Sequence, residues 1–510
     1  MNQKKFHYFS LKAIFLVVFT CALTSFTNVH LISSDSSEKT KIYLIGDSTV
    51  RNQSGSGGPG QWGWGTFLQD FFDSAKVEVH NHAMAGRSTR TFVKEGRWEK
   101  VMENLKPGDY VIMQFGHNEG SQPDTTRAGY RGVLRGMGDE TKELTWPDGT
   151  KETVHTYGWY LMKFIEDAKS KGANPIVASM IPRNKFQEGS VERASMDFGL
   201  WAKEAARKGG AEFIDLNGIV ADQYDKWGQE VVKGLFEKDH THTNEAGARI
   251  NAWSVIQGIK SLKNEKLLSL LPAKKPTLYL IGDSTVKNGQ GDGAGGLWGW
   301  GDFITPFFDQ EKIKVENHAL GGTSSRTFQT YGLWQKVLDK IEPGDFVIMQ
   351  FGHNDSSPLD DEARARGTIR SAGLEAQHIY NPITKQQETV YSYGQYLRNM
   401  ILDTKAKGAT AIVCSLVPRN SWKENKVNRA ADGFGLWAKE AAENSDAIFI
   451  DLNAIIADAY DEKGEAYVRE HYFNTTDHTH TIEAGAKFNA EAVVKGISSK
   501  PENPLAGFLK

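Results

Sequence analysis

The sequence predicts two α/β domains of the same kind in tandem, each an α/β/α sandwich around a mostly parallel sheet. Three observations predict this fold. The chain has 510 residues, more than a single compact core usually contains. Long stretches recur, so that "IYLIGDSTV" at 42–50 returns as "LYLIGDSTV" at 278–286. Within each copy, short apolar runs alternate with amphipathic helical patterns, which is typical of parallel α/β proteins.

The repeat covers nearly all of each half. "PGDYVIMQFGHN" (107–118) returns as "PGDFVIMQFGHN" (343–354), and "FGLWAKEAA" (198–206) returns at 434–442. The spacing between copies is far longer than the repeat of a solenoid, so each copy is a whole domain.

Domain boundaries follow from where this repetition stops. We predict a first domain over residues 38–265 and a second over 277–500. The linker between them, 266–276, is short and contains proline, so the domains should touch or be held at a nearly fixed spacing.

Five apolar runs of the first half predict buried parallel strands. They are "KIYLIG" (41–46), "KVEVHNHA" (76–83), "DYVIMQFG" (109–116), "NPIVASMIP" (174–182) and "AEFIDLN" (211–217). A helical pattern at 156–172 ends in Lys-Gly, a helix stop signal. Pro147-Asp148-Gly149 lies between two β-prone runs and predicts an inserted hairpin near the strand ends. Such insertions usually shape binding sites.

The N-terminus has the layout of a secretory signal peptide, predicted over residues 1–25. Lysines precede the apolar run Ala13–Leu23, which is too short for a comfortable membrane span. A retained anchor, or lipidation at Cys21, is the alternative. The chain is therefore predicted to be secreted or periplasmic, with no integral membrane span after signal removal.

Charge and cysteine content limit the other function classes. The formal net charge is −3, which provides no phosphate-seeking surface and excludes nucleic acid as an expected partner. Besides Cys21 the only cysteine is Cys414, in an apolar run that predicts a buried strand, so no intrachain disulfide is expected in the mature chain.

Polar residues follow the predicted strands where ligands of parallel sheets bind. Ser48 follows the first strand, Gly86 the second and Asn118 the third. A serine nucleophile needs an imidazole to take its proton and a carboxylate to orient that imidazole. Asp239 and His242, in "KDHTHTNEAGA", form such a pair. Singly, these residues also serve as caps and turns, but all five recur in one order in both halves, which favours acyl transfer.

These motifs resemble a known family. "IGDST", the glycine after the second strand, "GHN" and "DHTH" resemble the four blocks of the SGNH (GDSL) hydrolase superfamily. "AGRSTRTF", "TYGWYL" and "DHTHTNEAGA" resemble its rhamnogalacturonan acetylesterase group. The resemblance covers nearly all of both repeats and implies two tandem flavodoxin-like α/β/α sandwich domains, each with a five-stranded, mostly parallel sheet.

The resemblance also implies a role for each residue. Ser48 would be the nucleophile, His242 the general base and Asp239 its orienting partner, while Gly86 and Asn118 would form the oxyanion hole with the backbone N–H of Ser48. The corresponding second-domain residues are Ser284, His480, Asp477, Gly322 and Asn354. No metal and no cofactor is implied.

A metal centre is the competing interpretation of the histidine cluster. His240, His242 and Asp239 could share one cation, with a third protein ligand from His82 or His117. A metal hydrolase, however, has no need for a serine and an asparagine at the strand ends. We therefore favour the serine mechanism.

The two repeats differ near the site. Glu119 stands where the second domain has Asp355, and Arg87 where it has Thr323. Neither change removes a predicted catalytic residue, and both could alter substrate fit.

Four further residues are candidates for substrate binding. Trp62 and Trp298 could stack on a sugar ring or simply pack in the core. Arg183 and Arg419 follow the fourth strand and could bind a sugar carboxylate or pair with a structural acid.

Together these observations predict a secreted carbohydrate esterase that removes O-acetyl groups from a plant polysaccharide, rhamnogalacturonan first, through an acyl-enzyme. Alternatives within enzymes are acetylxylan, another glycan or a lipid ester. A different class is a glycan-binding module with silent domains. Because every predicted catalytic position is filled in both repeats, the enzyme is favoured.

Overall fold

Each half of the chain folds around a five-stranded parallel sheet. The computed structural model describes residues 38–510, and residues 39–510 form one compact unit. The predicted signal peptide, with Cys21, lies outside the described residues. No helix in the described part of the chain is both long and apolar enough to cross a membrane.

The central sheet of the first domain has the order β2-β1-β3-β6-β9, and every neighbouring pair is parallel. Its predicted strands all form. The strands of this domain are β1 (Thr40–Gly46), β2 (Val77–Asn81), β3 (Tyr110–Gln114), β4 (Lys142–Thr145), β5 (Lys151–Val154), β6 (Asn174–Ala178), β7 (Phe186–Gln187), β8 (Ser190–Val191) and β9 (Glu212–Ile214).

The second domain repeats this topology with the order β11-β10-β12-β15-β18, again all parallel. Its strands are β10 (Thr277–Gly282), β11 (Lys314–Asn317), β12 (Phe346–Gln350), β13 (Ala376–Asn381), β14 (Gln386–Tyr391), β15 (Thr410–Cys414), β16 (Trp422–Lys423), β17 (Lys426–Val427) and β18 (Ile448–Ile450). The predicted fold class, two tandem α/β sandwich domains, is confirmed.

Helices cover both faces of each sheet. Those of the first domain are α1 (Thr89–Lys94), α2 (Arg97–Met102), α3 (Tyr157–Ser170), α4 (Phe198–Gly209), α5 (Leu216–Lys233), α6 (Glu245–Ser261) and α7 (Glu265–Leu268). Those of the second are α8 (Ser325–Thr330), α9 (Leu333–Leu338), α10 (Tyr393–Ala406), α11 (Phe434–Glu443), α12 (Leu452–Lys463), α13 (Glu465–Tyr472) and α14 (Glu483–Ser498).

The apolar run of β1 is continuous because side chains leave it on both faces. Ile42 and Leu44 pack in the core beneath α5 and α6, while Tyr43 and Ile45 pack in the core beneath α1 to α4. Successive residues of a strand point to opposite faces, so a strand covered on both sides has no polar alternation.

The predicted hairpin is present as the antiparallel pair β4–β5. Arg90, at the start of α1, is buried and forms a two-pronged ion pair with Glu152 of β5, at 2.7 and 2.9 Å. Arg326 and Glu388 repeat this pair in the second domain. The hairpin is thus fixed to the segment that follows the second strand, at the edge where the candidate site lies.

Packing continues beyond residue 265, the predicted end of the first domain. Leu267 is fully buried in the first core, and the backbone N–H of Asp73 donates to the carbonyl of Leu270 at 3.0 Å. In the second domain the N–H of Asp309 donates to the carbonyl of Phe508 at 2.8 Å. Residues 266–271 of the predicted linker therefore pack as part of the first domain, because their leucines bury apolar surface there.

The two domains touch directly. Ala406, at the end of α10 in the second domain, is buried in the core of the first. Lys226 forms an ion pair with Asp446 at 2.6 Å across the same interface. This agrees with the short linker, which predicts domains in contact.

Candidate active site

The turn after β1 carries the first candidate side chain. Ser48 is 7% exposed, and the Oδ1 atom of Asp47 accepts hydrogen bonds from the backbone N–H and the hydroxyl of Thr49 at 2.9 and 2.7 Å. Gln114 of β3 donates to the Thr49 hydroxyl at 2.7 Å and accepts from the Trp64 indole at 2.8 Å. This buried chain of hydrogen bonds ties the serine turn to the neighbouring strand, and it recurs with closely similar distances in the second domain.

A histidine and an aspartate from the other end of the domain meet this serine. His242 Nε2 lies 2.9 Å from Ser48 Oγ, and His242 Nδ1 lies 2.7 Å from Asp239 Oδ2. In the second domain the corresponding distances are 2.8 and 2.6 Å, between His480 and its partners Ser284 and Asp477. Residues nearly two hundred positions apart are therefore brought into one hydrogen-bonded line, twice.

The aspartate is held in its ionised form. Burial raises its pKa, but hydrogen bonds from the His242 ring and from the backbone N–H groups of His242 and Thr241 outweigh burial and lower the pKa of Asp239 to about 2. The same balance lowers the pKa of Asp477. An ionised carboxylate facing Nδ1 favours the tautomer with a proton on that nitrogen, which leaves Nε2 free to accept the serine proton.

Backbone and amide donors lie beside the serine. Gly86 has φ = 76° and Gly322 has φ = 84°, a left-handed conformation that glycine adopts without strain. Within residues 38–510, the backbone N–H groups of Ser48 and Gly86 donate to no protein acceptor, nor do those of Ser284 and Gly322. Unused N–H groups at a serine can bind a developing oxyanion.

The amide of Asn118 is fixed at both atoms. Nδ2 donates to the carbonyl of Arg87 at 3.0 Å, and Oδ1 accepts from Arg131 at 2.9 Å. The second Nδ2 hydrogen remains available for a ligand. Asn354 Nδ2 donates in the same way to the Thr323 carbonyl at 2.7 Å.

A cavity of about 590 Å³ opens at the second-domain site. Its wall includes the candidate residues Ser284, Gly322, Asn354 and His480, and three arginines, Arg364, Arg366 and Arg419. The predicted site residues are thus assembled around space large enough for a sugar unit.

Each of the two repeats matches a known protein family. A family model described as GDSL-like lipase/acylhydrolase matches the chain twice, over residues 42–253 and 278–493. The chain belongs to this family. The predicted SGNH/GDSL resemblance is therefore confirmed, and the protein is a carboxylic ester hydrolase with two GDSL domains.

Individual proteins similar to this GDSL hydrolase were found by sequence and by structure. A rhamnogalacturonan acetylesterase of Emericella nidulans is 33% identical over 218 residues, a match that covers 43% of this chain and 84% of the relative. The crystal structure of the Bacillus subtilis protein YxiM aligns with a TM-score of 0.36 and 24% identity, over 45% of this chain and 58% of that chain. Axe2, an acetylxylan esterase from Geobacillus stearothermophilus, aligns with a TM-score of 0.32 and 19% identity, over 43% and 93%.

Metal ligands do not converge in this GDSL hydrolase as the competing interpretation requires. Among residues 38–510, no three His, Cys, Asp or Glu side chains are grouped so that they could hold an ion. His240 faces solvent and its Nδ1 contacts the Thr241 hydroxyl at 2.9 Å. His117 is partly buried, and the loss of hydration lowers the pKa of its imidazole to about 4, which keeps the ring neutral.

Trp62 and Trp298 have a role that the sequence does not reveal. The backbone N–H of Trp62 donates to the carbonyl of Thr243 at 2.8 Å, directly after the histidine, and Trp298 repeats this contact with Thr481 at 2.9 Å. The Trp62 ring packs on Phe67, with ring centroids 5.1 Å apart. The two tryptophans thus fix, through their backbone, the segment that carries the candidate histidine of each domain. Trp298 is not part of the cavity wall.

Each of the two candidate arginines donates to the carbonyl of the histidine that follows the third strand of its domain. Arg183 donates to the carbonyl of His117 at 3.1 Å. Arg419 donates to the carbonyl of His353 at 3.3 Å and to the Thr479 hydroxyl, and it lines the second-domain cavity. Of the two second-domain candidates, Arg419 therefore lines this cavity and Trp298 does not.

Sequence reasoning missed the residues that support the site. Thr49, Gln114 and Trp64 hold the serine turn, and Arg131 orients the candidate oxyanion amide. The repetition of "GDST", "WGWG" and "MQFGHN" contains the first three. Arg131 lies in an irregular segment, where no periodic pattern marks it.

A fully buried carboxyl group lies beneath each candidate asparagine. Glu119 accepts hydrogen bonds from the backbone N–H groups of Thr89 and Asn118, both at 2.9 Å. Asp355 accepts from the backbone N–H and the hydroxyl of Ser325. Burial raises the pKa of Glu119 to about 8 and that of Asp355 to about 7. The shorter Asp355 accepts from the Ser325 hydroxyl, whereas the hydroxyl of Thr89, at the corresponding position of the first domain, is buried and has no hydrogen-bond partner among the described residues.

Glu119→Gln should flatten the pH dependence of stability. Because the pKa of Glu119 rises from 4.5 to about 8 on folding, the folded state binds more protons between these values. The free energy of unfolding should therefore fall as pH rises from about 4.5 to about 8, by an amount on the order of a few kcal/mol. Glu119→Gln should remove this fall, measured by denaturant unfolding at several pH values. Asp355→Asn is the matched variant in the second domain and should remove the corresponding fall in the free energy of unfolding between pH values of about 3.8 and about 7. An unchanged dependence of this free energy on pH in both variants would contradict the assignment.

Proposed function

We propose that this GDSL hydrolase is a secreted O-acetyl esterase that acts on an acetylated plant polysaccharide, with rhamnogalacturonan as the first candidate. The observation that carries the proposal is the Ser48–His242–Asp239 hydrogen-bonded line with its unused backbone donors, present again in the second domain. Acetylated glycan is supported by the polar cavity and by the similarity to a relative named rhamnogalacturonan acetylesterase.

The proposed reaction begins with attack of Ser48 Oγ on the acetyl carbonyl carbon. His242 Nε2 takes the serine proton, and Asp239 stabilises the resulting imidazolium. The carbonyl oxygen becomes negative and is bound by the N–H groups of Ser48 and Gly86 and by the Asn118 amide. His242 then returns the proton to the sugar oxygen as its bond to the acetyl carbon breaks. The sugar leaves as a free hydroxyl and an acetyl-serine remains.

Water completes the cycle. His242 takes a proton from a water molecule, which attacks the acetyl-serine, and the same oxyanion donors bind the second tetrahedral intermediate. When it collapses, acetate leaves and the proton returns to Ser48. Ser284, His480, Asp477, Gly322 and Asn354 take the same roles in the second domain. The reaction needs no added cofactor, because proton transfer and charge stabilisation come from the protein.

Acetate release tests this proposal. The full chain should release acetate from acetylated rhamnogalacturonan faster than from acetylxylan, and 4-nitrophenyl acetate serves as a substrate without a sugar. Faster release from acetylxylan would keep the esterase mechanism but replace the substrate. Binding of the glycan with no release from any of the three esters would favour the binding module with silent domains.

A further inference from the structure

The two sites differ in a cation beside the candidate oxyanion glycine. "ARARG" (363–367) of the second domain corresponds to "AGYRG" (128–132) of the first. The final glycines are equivalent because each carbonyl accepts from the buried arginine of its domain, at 2.9 and 3.1 Å. Arg364 therefore stands where the first domain has Gly129.

Arg364 points into the second site without an acidic partner. Its side chain is exposed, it is in the cavity wall, and it forms no ion pair or side-chain hydrogen bond within the described part of the chain. Its Nη1 atom lies 3.4 Å from the position that a Cβ on Gly322 would occupy. The guanidinium is therefore at the wall of the second-domain cavity, beside the candidate oxyanion glycine.

The rest of the cavity wall is also cationic. Arg366 and Arg419 line it with Arg364, and the lining residues that the structure describes include no aspartate or glutamate. Burial, and next the positive charge of Arg364, lower the pKa of Arg366. Arg366 and Arg419 each donate to one backbone carbonyl and one hydroxyl group, and these neutral acceptors do not neutralise their charge.

The first site has one arginine fewer beside its glycine, because Gly129 stands in the place of Arg364. A Cβ on Gly129 would lie 2.0 Å from Asp124 Oδ1 and 2.7 Å from the Asp124 backbone nitrogen, so a larger residue requires the loop to move. Arg87, the extra arginine of the first domain, is already paired with Glu95 at 3.0 Å. Arg131 corresponds to Arg366 and is the cation that the two sites share: its Nη1 atom lies 3.9 Å from the position of a Cβ on Gly86 and donates to Asn118 Oδ1 at 2.9 Å.

We propose that Arg364, as an additional cation, makes the second site more selective than the first for acetylated glycans that carry a carboxylate near the ester. A guanidinium without a partner gains two parallel hydrogen bonds from a sugar carboxylate and loses little on binding, since no internal ion pair is broken. This inference rests on the proposed esterase function, and it assigns different degrees of charge selectivity to two sites that share one mechanism.

Single-site forms of the full chain allow the test. Ser48→Ala leaves the second site and Ser284→Ala leaves the first. The substrates are acetylated galacturonate oligomers and the same oligomers with their carboxyl groups methyl-esterified, and the readout is the ratio of kcat/KM for acetate release from the two. We expect this ratio to be about tenfold higher for the second site than for the first.

Arg364→Gln, added to Ser48→Ala, should bring the ratio down to that of the first site, through a higher KM for the charged oligomer. Deacetylated galacturonate oligomers should inhibit the second site, and this inhibition should weaken by a similar factor in Arg364→Gln. Arg370→Gln is the matched control. Arg370 is exposed in the same segment, donates to the Ser356 carbonyl and is outside the cavity wall, so its variant should keep the second-site ratio.

The outcomes separate this inference from the proposed function. Equal ratios at two active sites, or an unchanged ratio and inhibition in Arg364→Gln, would overturn the charge selectivity and leave the esterase standing. A second site that releases no acetate would also overturn it. If neither single-site chain nor the wild type hydrolysed any ester, the proposed function itself would fail.

Discussion

A chain carrying both Ser48→Ala and Ser284→Ala should lose ester hydrolysis almost completely, with kcat reduced by about 10⁴-fold or more. Each serine hydroxyl lies within 2.9 Å of a histidine Nε2 atom, and the alanine variants retain the pocket but have no nucleophile. The measurement is acetate release and 4-nitrophenyl acetate hydrolysis on the purified full chain.

The single variants make this result specific. Each should retain the activity of the other site, because the two hydrogen-bonded lines share no residue. Ser170→Ala, at an exposed serine whose hydroxyl donates to the Asp167 carbonyl, is the matched control and should match the wild type. Near-wild-type hydrolysis by the double variant, with its fold intact, would refute the serine mechanism.

Asn118→Ala in the Ser284→Ala chain, and Asn354→Ala in the Ser48→Ala chain, should each lower kcat by about 10²- to 10³-fold with little change in KM. The reason is that, in the proposed mechanism, the free amide hydrogen donates to the ester oxygen when that oxygen becomes negative. Steady-state kinetics on 4-nitrophenyl acetate give the two parameters separately.

Asparagine at this position also has a structural role, since its Nδ2 atom donates to a backbone carbonyl. Asn118→Asp and Asn354→Asp are therefore included, because aspartate has nearly the same shape but donates nothing when ionised. Thermal unfolding measures the structural cost. A lower melting temperature with an unchanged kcat would assign these residues to folding and not to the reaction.

Much of the candidate site was predictable from the sequence for a physical reason. The ends of parallel strands meet at one edge of the sheet, so Ser48, Gly86 and Asn118 had to lie near each other once the strands were identified. Asp239 and His242 lie in one short turn, where an aspartate reaches a ring three residues later without help from tertiary structure. The repeated order of the motifs gave the same prediction twice.

Contacts made by irregular segments were not predictable. Trp62 supports the site through a hydrogen bond of its backbone N–H to the Thr243 carbonyl. A sequence motif does not predict which carbonyl accepts from a given backbone N–H. Arg364 and Arg366 lie in a loop without periodicity, so their approach to the cavity depends on the course of the whole segment. The linker leucines are apolar enough to pack, but the sequence does not say against which domain.

The linker leucines determine where the chain can be cut into two separate domains. The segment that ends at Leu271 packs before the second strand of the first sheet, where Asp73 donates to the Leu270 carbonyl. The segment through Phe508 packs at the equivalent place in the second domain, where Asp309 donates to the Phe508 carbonyl. The duplicated unit therefore includes its own closing segment. A gene fragment designed to encode one unit should extend through Leu271, because a boundary at 265 would expose the core surface that Leu267 covers and append stray leucines to the other unit.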